Sequence, residues 1–120
     1  VYELAGLEGF PNSLAFDEDG HTGTGIVFFA KSGDRIIALA GAGKEYEGLW
    51  EMGVDTDPAH RGEGLGAALV ARLSRELMAR GQAPFYVGDE YRLPVGGPPG
   101  GASAPMGGYL QQYAFGRLHI

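Results

Sequence analysis

Cysteine is absent from the 120 residues, tryptophan occurs once, and basic residues number nine against fifteen acidic ones. Without cysteine the chain can form no disulfide, no thiolate zinc site and no thiol nucleophile. The formal net charge of −6 argues against nucleic acid or an anionic membrane as the main partner. No signal peptide and no apolar run long enough to span a bilayer can be recognised. We therefore expect a cytoplasmic protein that binds neither nucleic acid nor membrane.

Glycine is abundant instead, and its distribution divides the chain. Twenty-two residues are glycine, far above the usual ~7%. Residues 87–120 hold eight of these glycines and four of the seven prolines. Because the chain is short and begins at Val1, we expect a single incomplete domain. Its core covers residues 1–86, and residues 87–120 form an atypical Gly/Pro-rich tail.

The core has the pattern of an α/β fold. Segments rich in β-branched and apolar residues predict a meander of three antiparallel strands at Thr24–Lys31, Arg35–Ala42 and Leu49–Val54. A helix is predicted over 65–80 from leucines four residues apart, with Gly81 as its C-cap. A fourth strand near 84–88 would lie parallel to the third, because the helix crosses between them. Residues 94–108 should be irregular.

A glycine-rich loop opens directly into this helix, with the sequence Arg61-Gly62-Glu63-Gly64-Leu65-Gly66-Ala67. Glycine has no Cβ, so the backbone can curl and let a ligand approach its N–H groups closely. The first turn of a helix also leaves N–H donors unpaired and carries about half a positive charge. Phosphate or pyrophosphate is the natural ligand of such a loop. Arg61 is placed to clamp a further phosphate oxygen.

Two nucleotide-binding motifs fit this stretch poorly. A P-loop requires Lys-Ser/Thr after its last glycine, whereas Gly66 is followed by two alanines. A dinucleotide fingerprint requires G-x-G-x-x-G directly after the strand, whereas this loop reads G-x-G-x-G after a Pro-containing turn. A tight strand–helix turn that binds no ligand is an alternative to every anion-binding motif.

A third pattern fits well. Arg61-x-x-Gly64-x-Gly66 follows Val54-x-Thr56-x-Pro58 and precedes a leucine-spaced helix. This arrangement resembles the acetyl-CoA motif V-x-V-x-P-x-x-R/Q-G-x-G-x-G/A of the GNAT acyl-CoA N-acyltransferase family. Thr56 replaces the second valine, a β-branched substitution that should keep the backbone extended. The resemblance covers roughly residues 22–86.

The resemblance implies acetyl-CoA as co-substrate and an amine as acceptor. The cofactor-binding residues are expected to be Val54, Thr56, Arg61, Gly62, Glu63, Gly64, Leu65, Gly66 and Ala67. The loop N–H groups would hold the pyrophosphate. The exposed backbone of 54–56 would pair with the pantetheine and polarise the thioester. In this family the two parallel strands splay apart, and the acyl-pantetheine lies in the gap.

Glu51 is the candidate general base, since an ammonium group of pKa ~10.4 must lose its proton before attack. Alternation along the strand places Glu51 on one face and Met52 and Val54 on the other. An exposed, non-catalytic glutamate is an equal alternative. Asp55 is a lesser candidate. We expect His60 to have a packing or rim role. No metal site is predicted, because the acidic turn 17–20 lacks the later ligands of a calcium loop.

The tail departs from the family pattern. Tyr91, Tyr109 and Tyr113 occur in it, but none lies in the family's context, so no general acid is assigned. One hypothesis is out-of-frame translation, because the codons of Asp89–Leu93 read one base later can spell Thr-Asn-Ile-Ala-Ser. Such a tail would be mobile, or would pair between chains in a homo-oligomer.

The predicted function is acetyl-CoA-dependent N-acetylation of a primary amine on a small molecule or protein. A catalytically inactive CoA-binding or structural remnant of such an enzyme is the alternative.

Overall fold

The computed structural model describes residues 1–86 and 113–119. The helices and strands in these ranges are β1 (Thr24–Ser32), β2 (Arg35–Tyr46), β3 (Leu49–Thr56), α1 (Leu65–Ala79), β4 (Ala83–Tyr86) and β5 (Ala114–His119), with short 3-10 turns at Tyr2–Leu4 and Pro58–His60. The strands form one five-stranded sheet in the order β4-β3-β2-β1-β5. The α/β class, with an antiparallel meander, a crossover helix and a parallel strand, is confirmed. The predicted irregular segment 94–108 lies outside the described residues.

The meander turns at two glycines. β1 and β2 are antiparallel and meet at Gly33, whose φ is +63°, and β2 and β3 meet at Gly48, whose φ is +79°. Both values lie in the left-handed region, which glycine adopts without a Cβ clash. β2 continues to Tyr46, beyond its predicted end at Ala42. A register shift after Lys44 lets the pairing with β3 run on, so the second turn is shorter than predicted.

Helix α1 crosses from β3 to β4 and covers one face of the sheet. The two strands pair in parallel, as predicted, from Leu49 opposite Ala83 to Met52 opposite Tyr86. All four regularly spaced leucines are buried, at 0–1% exposure: Leu65, Leu69, Leu73 and Leu77. Removing four such side chains from water stabilises this face by roughly 2 kcal/mol each.

The C-terminus of α1 is capped as the sequence indicates. Gly81 has a φ of +76°, and its N–H donates to the carbonyl of Met78 at 3.0 Å. The N–H of Gln82 donates to the carbonyl of Leu77 at 2.9 Å. These two bonds form a Schellman motif, which satisfies carbonyls that the helix itself leaves unpaired. The chain is thereby turned directly into β4.

The opposite face of the sheet is covered by the N-terminal segment, residues 1–16. Val1, Phe10 and Leu14 are buried there against Val27 and Leu39 of the sheet. This segment packs on the sheet as a loop with one short 3-10 turn at Tyr2–Leu4. Each face of the sheet therefore has its own apolar cluster, one under α1 and one under the N-terminal segment.

Strand β5 was not predicted. It pairs antiparallel with β1, from Lys31 opposite Ala114 to Ile26 opposite His119. Gly116 lies opposite Phe29, whose ring occupies the space that a Cβ would need, 2.3 Å away. Residues 113–119 therefore pack on the sheet of their own chain, which corrects the expectation of a mobile tail for this segment. Within the described ranges, no helix has both the length and the hydrophobicity to span a bilayer.

Candidate active site

Two glycines shape the loop between β3 and α1. Gly62 and Gly64 have φ values of +85° and +86°. A Cβ on Gly62 would meet no atom within 4 Å, so the requirement for glycine there is conformational rather than a matter of space. Two left-handed residues flanking Glu63 curl the loop before the helix begins. The sequence pattern predicted this curl.

The N-terminus of α1 is not capped by a side chain. Gly64 is the N-cap residue and makes no side-chain cap, and the first turn contains no acidic residue. The N–H of Ala68 is the first to be paired within the helix, donating to the Gly64 carbonyl at 3.0 Å. The N–H groups before it are therefore oriented toward the loop. Together with the helix dipole, they can bind an anion.

Arg61 lies at the mouth of this loop. Its side chain is exposed, and its Nε donates to the carbonyl of Thr56 at 3.3 Å. This bond joins the loop to the end of β3. A guanidinium group held there keeps its charge at the entrance, where it can contact a phosphate group.

The β4 side of β3 offers backbone groups next to the loop. Within the described residues, pairing with β4 extends only to Met52 opposite Tyr86, whereas β3 continues to Thr56. The other edge of β3 pairs with β2 as far as Thr56. An extended ligand alongside Val54 and Thr56 would therefore meet N–H and C=O groups that β4 does not use.

Glu51 faces away from α1, as the alternation predicted. Met52 and Val54 are buried under the helix, while Glu51 is exposed on the other face. It lines a cavity of about 260 Å³ formed by residues 11–15, residues 22–24, β2 and β3. Glu51 thus borders a pocket on the opposite side of β3 from the helix.

The sequence model of the acetyltransferase (GNAT) family matches residues 4–90, more than half of the chain. The chain belongs to the GNAT family. Among solved structures, the crystal structure of Rv2747 from Mycobacterium tuberculosis in complex with CoA and NLQ is similar over 78% of this chain and 75% of that chain, with 17% identity and a TM-score of 0.45. No curated protein matches the chain. The predicted family is confirmed.

Asp55 has a role in this GNAT chain that the sequence did not indicate. Its Oδ2 accepts hydrogen bonds from the N–H groups of Asn12 and Ser13, at 2.9 and 2.7 Å, and from the Ser13 hydroxyl at 2.7 Å. Its Oδ1 accepts from the Asn12 amide at 2.7 Å. With four donors on one carboxylate, Asp55 anchors the N-terminal segment. Glu51 is therefore the better placed of the two candidate bases.

Two strand glycines allow this anchoring. A Cβ on Gly53 would lie 1.9 Å from the carbonyl oxygen of Asn12, and one on Gly41 would lie 2.0 Å from that of Ser13. The N-terminal segment therefore lies directly on the sheet backbone, where it forms one wall of the cavity. Glycine inside a strand is a signal of such a close approach, and this signal was available in the sequence.

His60 and Tyr113 meet beside the glycine-rich loop. Their rings pack edge to face with centroids 5.8 Å apart, and His60 Nδ1 lies 3.2 Å from a carboxylate oxygen of Glu63. The Tyr113 hydroxyl donates to the same carboxylate. The packing and rim role predicted for His60 agrees with this position. The contribution of Tyr113 was missed, because no local pattern joins it to the loop.

Asp57 closes β3 and begins the 3-10 turn before the loop. Its Oδ1 accepts from the N–H of Ala59 at 2.9 Å, and Arg35 pairs with its other oxygen. The Ala59 hydrogen bond is the main cause that lowers the pKa of Asp57, and the charges of Arg35 and His60 add to it. The carboxylate thus stays ionised and fixes the path from strand to loop.

The acidic turn is a local structure. Oδ1 of Asp17 accepts from the N–H groups of Asp19 and His21, both at 2.9 Å. These three side chains are exposed and could approach a common ion. The two hydrogen bonds accepted by Asp17 are those of an Asx turn.

Proposed function

We propose that this GNAT chain transfers an acetyl group from acetyl-CoA to a primary amine of a small molecule or protein. The observation that carries the proposal is the curled loop at Gly62 and Gly64, which leads into an uncapped helix N-terminus. The Glu51 carboxylate lines a cavity on the opposite side of β3. The proposed anion site, or cradle, and a carboxylate that can accept a proton therefore lie on the two sides of β3.

The cradle would bind the pyrophosphate of acetyl-CoA. The N–H groups of 62–67 supply its donors, and Arg61 adds a positive charge at the entrance. The backbone of Val54 and Thr56 would pair with the pantetheine, where one N–H would polarise the thioester carbonyl. The proposed cofactor-binding set is Val54, Thr56, Arg61, Gly62, Glu63, Gly64, Leu65, Gly66 and Ala67.

The acceptor amine would enter the cavity beside Glu51. Its ammonium form loses a proton to Glu51, directly or through water, because an amine of pKa ~10.4 is charged at neutral pH. The free nitrogen then attacks the thioester carbonyl, a C–N bond forms and the C–S bond breaks. The CoA thiolate leaves and takes up a proton from solvent, and the attacking nitrogen releases its second proton to solvent as the amide forms. Asp55 holds the cavity wall through Asn12 and Ser13.

An inactive CoA-binding remnant is the second candidate. The observation that favours it is that the family match ends at residue 90, which leaves the tail outside.

We treat residues 1–120 as one incomplete N-acetyltransferase domain, with a family-like core over 1–86 and an atypical tail over 87–120. A location in the cytoplasm and a homo-oligomer belong to the same proposal.

Two assays separate these functions. Calorimetry with acetyl-CoA measures binding, and thiol release with a panel of primary amines measures turnover. We expect binding and turnover from the full chain, and a loss of about 10²-fold or more in kcat for Glu51→Gln at unchanged acetyl-CoA affinity. Glu18→Gln, on an exposed glutamate of the acidic turn outside the cavity, is the matched control. Binding without turnover would favour the remnant, and absence of binding would contradict both functions.

A further inference from the structure

Three side chains from separate parts of the chain meet beside the cofactor loop. Glu63 lies in the loop itself, His60 ends the preceding 3-10 turn, and Tyr113 directly precedes β5. His60 Nδ1 lies 3.2 Å from Glu63 and 3.4 Å from the Tyr113 hydroxyl, which donates to the Glu63 carboxylate. The Glu63 side chain is about four-fifths buried.

The charge of Glu63 presents a problem for an anion-binding loop. It is the one acidic residue between Pro58 and the end of the first turn of α1. A carboxylate is attracted to a helix N-terminus, and it repels a phosphate group nearby. Left free, the Glu63 side chain would compete with a bound pyrophosphate for the same N–H donors.

We propose that Tyr113 is a positioning residue that holds the Glu63 carboxylate aside and so keeps the anion cradle open. His60 lies against the other oxygen of the same carboxylate. The hydroxyl of Tyr113 acts on the cofactor through Glu63 rather than by contact. This inference rests on the proposed binding of CoA. It gives the segment at the start of β5 a role that no sequence motif indicated.

The position of Tyr113 is fixed by the docking of β5. Alternate residues after it contact α1: the Arg72 guanidinium lies 5.0 Å from the centroid of the Phe115 ring, and Arg117 pairs with Glu76. On the other face of the strand, Leu118 packs in the cluster under the N-terminal segment. A strand anchored on both faces presents the tyrosine at a defined place beside the loop.

The test is a double-mutant cycle on the full 120-residue chain, with CoA binding measured by calorimetry. Tyr113→Phe should weaken CoA binding about tenfold, because a hydrogen bond to a charged group is lost and the carboxylate is released. Glu63→Gln alone should bind CoA severalfold more tightly than wild type. The double variant should bind CoA within about twofold of Glu63→Gln alone, since no charge remains to be held. Tyr2→Phe, which removes a hydroxyl from an exposed tyrosine, should have no effect.

Each outcome decides the inference. Rescue of Tyr113→Phe by Glu63→Gln supports it, because a residue that only packs β5 would show the same loss in both backgrounds. A loss that persists in the double variant, or wild-type affinity in Tyr113→Phe, overturns it. If Tyr113→Phe fails to fold, Glu63→Gln alone is informative: tighter CoA binding supports the inference and weaker binding contradicts it. Failure of the wild-type chain to bind CoA would instead reject the proposed function.

Discussion

The two faces of the sheet are held by different kinds of interaction. The face under α1 is closed by apolar burial, with four leucines of the helix at 0–1% exposure. The face under the N-terminal segment is closed partly by one carboxylate, Asp55, and by two glycines that admit the chain onto the sheet backbone. The proposed cofactor loop belongs to the first face and the proposed acceptor cavity to the second. Cofactor binding and acceptor binding should therefore respond to different substitutions.

The largest expected effect is on the cofactor side. Arg61→Ala combined with Gly64→Val removes the guanidinium and forces a β-branched residue into a left-handed conformation, which costs about 1–3 kcal/mol. We expect CoA binding to fall by at least about 10²-fold, while circular dichroism shows an intact sheet. Arg75→Ala combined with Gly20→Val is the control, since Gly20 also has positive φ, at +81°, but lies in the acidic turn. Equal losses of CoA affinity in both double variants would contradict the proposal that this loop binds the pyrophosphate.

The next effect is on stability and concerns the helix face. Leu69 is fully buried, so Leu69→Ala should lower the free energy of unfolding by about 2–5 kcal/mol through lost burial and a cavity. Denaturant titration measures this value. Met78→Ala on the same helix is the control, because Met78 is 53% exposed. A loss below that of the control would show that the leucine row does not hold the sheet.

A smaller effect is expected on the opposite face. Asp55→Ala leaves donors of Asn12 and Ser13 without their acceptor and should cost about 1–3 kcal/mol of stability. Because the N-terminal segment forms a wall of the cavity, the KM for the amine should rise while CoA affinity stays unchanged. Asp34→Ala, at an exposed turn, is the control. A loss of CoA affinity equal to the loss for the amine would break the separation between the two faces.

The smallest effect depends on pH and concerns Glu76, which pairs with Arg80 at the end of α1 and with Arg117 of β5. The hydrogen bond from Arg80 is the main cause that lowers the pKa of Glu76, and the charges of Arg117 and Arg80 add to it. A depressed carboxyl pKa stabilises the fold above the unfolded-state pKa, and this contribution is lost as the pH falls through the folded-state value. The stability difference between wild type and Glu76→Gln should therefore be present at neutral pH and vanish in acid. A stability difference that grows as the pH falls would contradict the predicted direction of the pH dependence.

Most of helix α1 and the proposed cofactor loop could be predicted from sequence because their signals are local. The leucine spacing, the glycine curl and the Gly81 cap each involve residues close together in the chain, and the structure shows all three. The positions of Met52 and Glu51 followed from simple alternation along β3. The predicted boundaries of α1 were correct to one residue.

The proposed acceptor cavity and the C-terminal strand depend on contacts between residues far apart in the chain. Asp55 meets Asn12 across 43 positions of sequence, and Tyr113 meets Glu63 across 50. No periodicity encodes such pairs. The alternation of Tyr113, Phe115 and Arg117 resembles a strand pattern, but the Gly/Pro-rich stretch before it hid that signal. The composition of the tail as a whole therefore did not predict β5.

The most direct test of the central claim is hydrogen exchange across the cofactor loop with and without CoA. Because the N–H groups of 62–67 are proposed to donate to the pyrophosphate, a peptide covering 61–70 should exchange more slowly when CoA is bound. The β1–β2 hairpin, Thr24–Tyr46, should change little. Unchanged exchange in 61–70 while CoA binds, or protection confined to another part of the chain, would contradict the account.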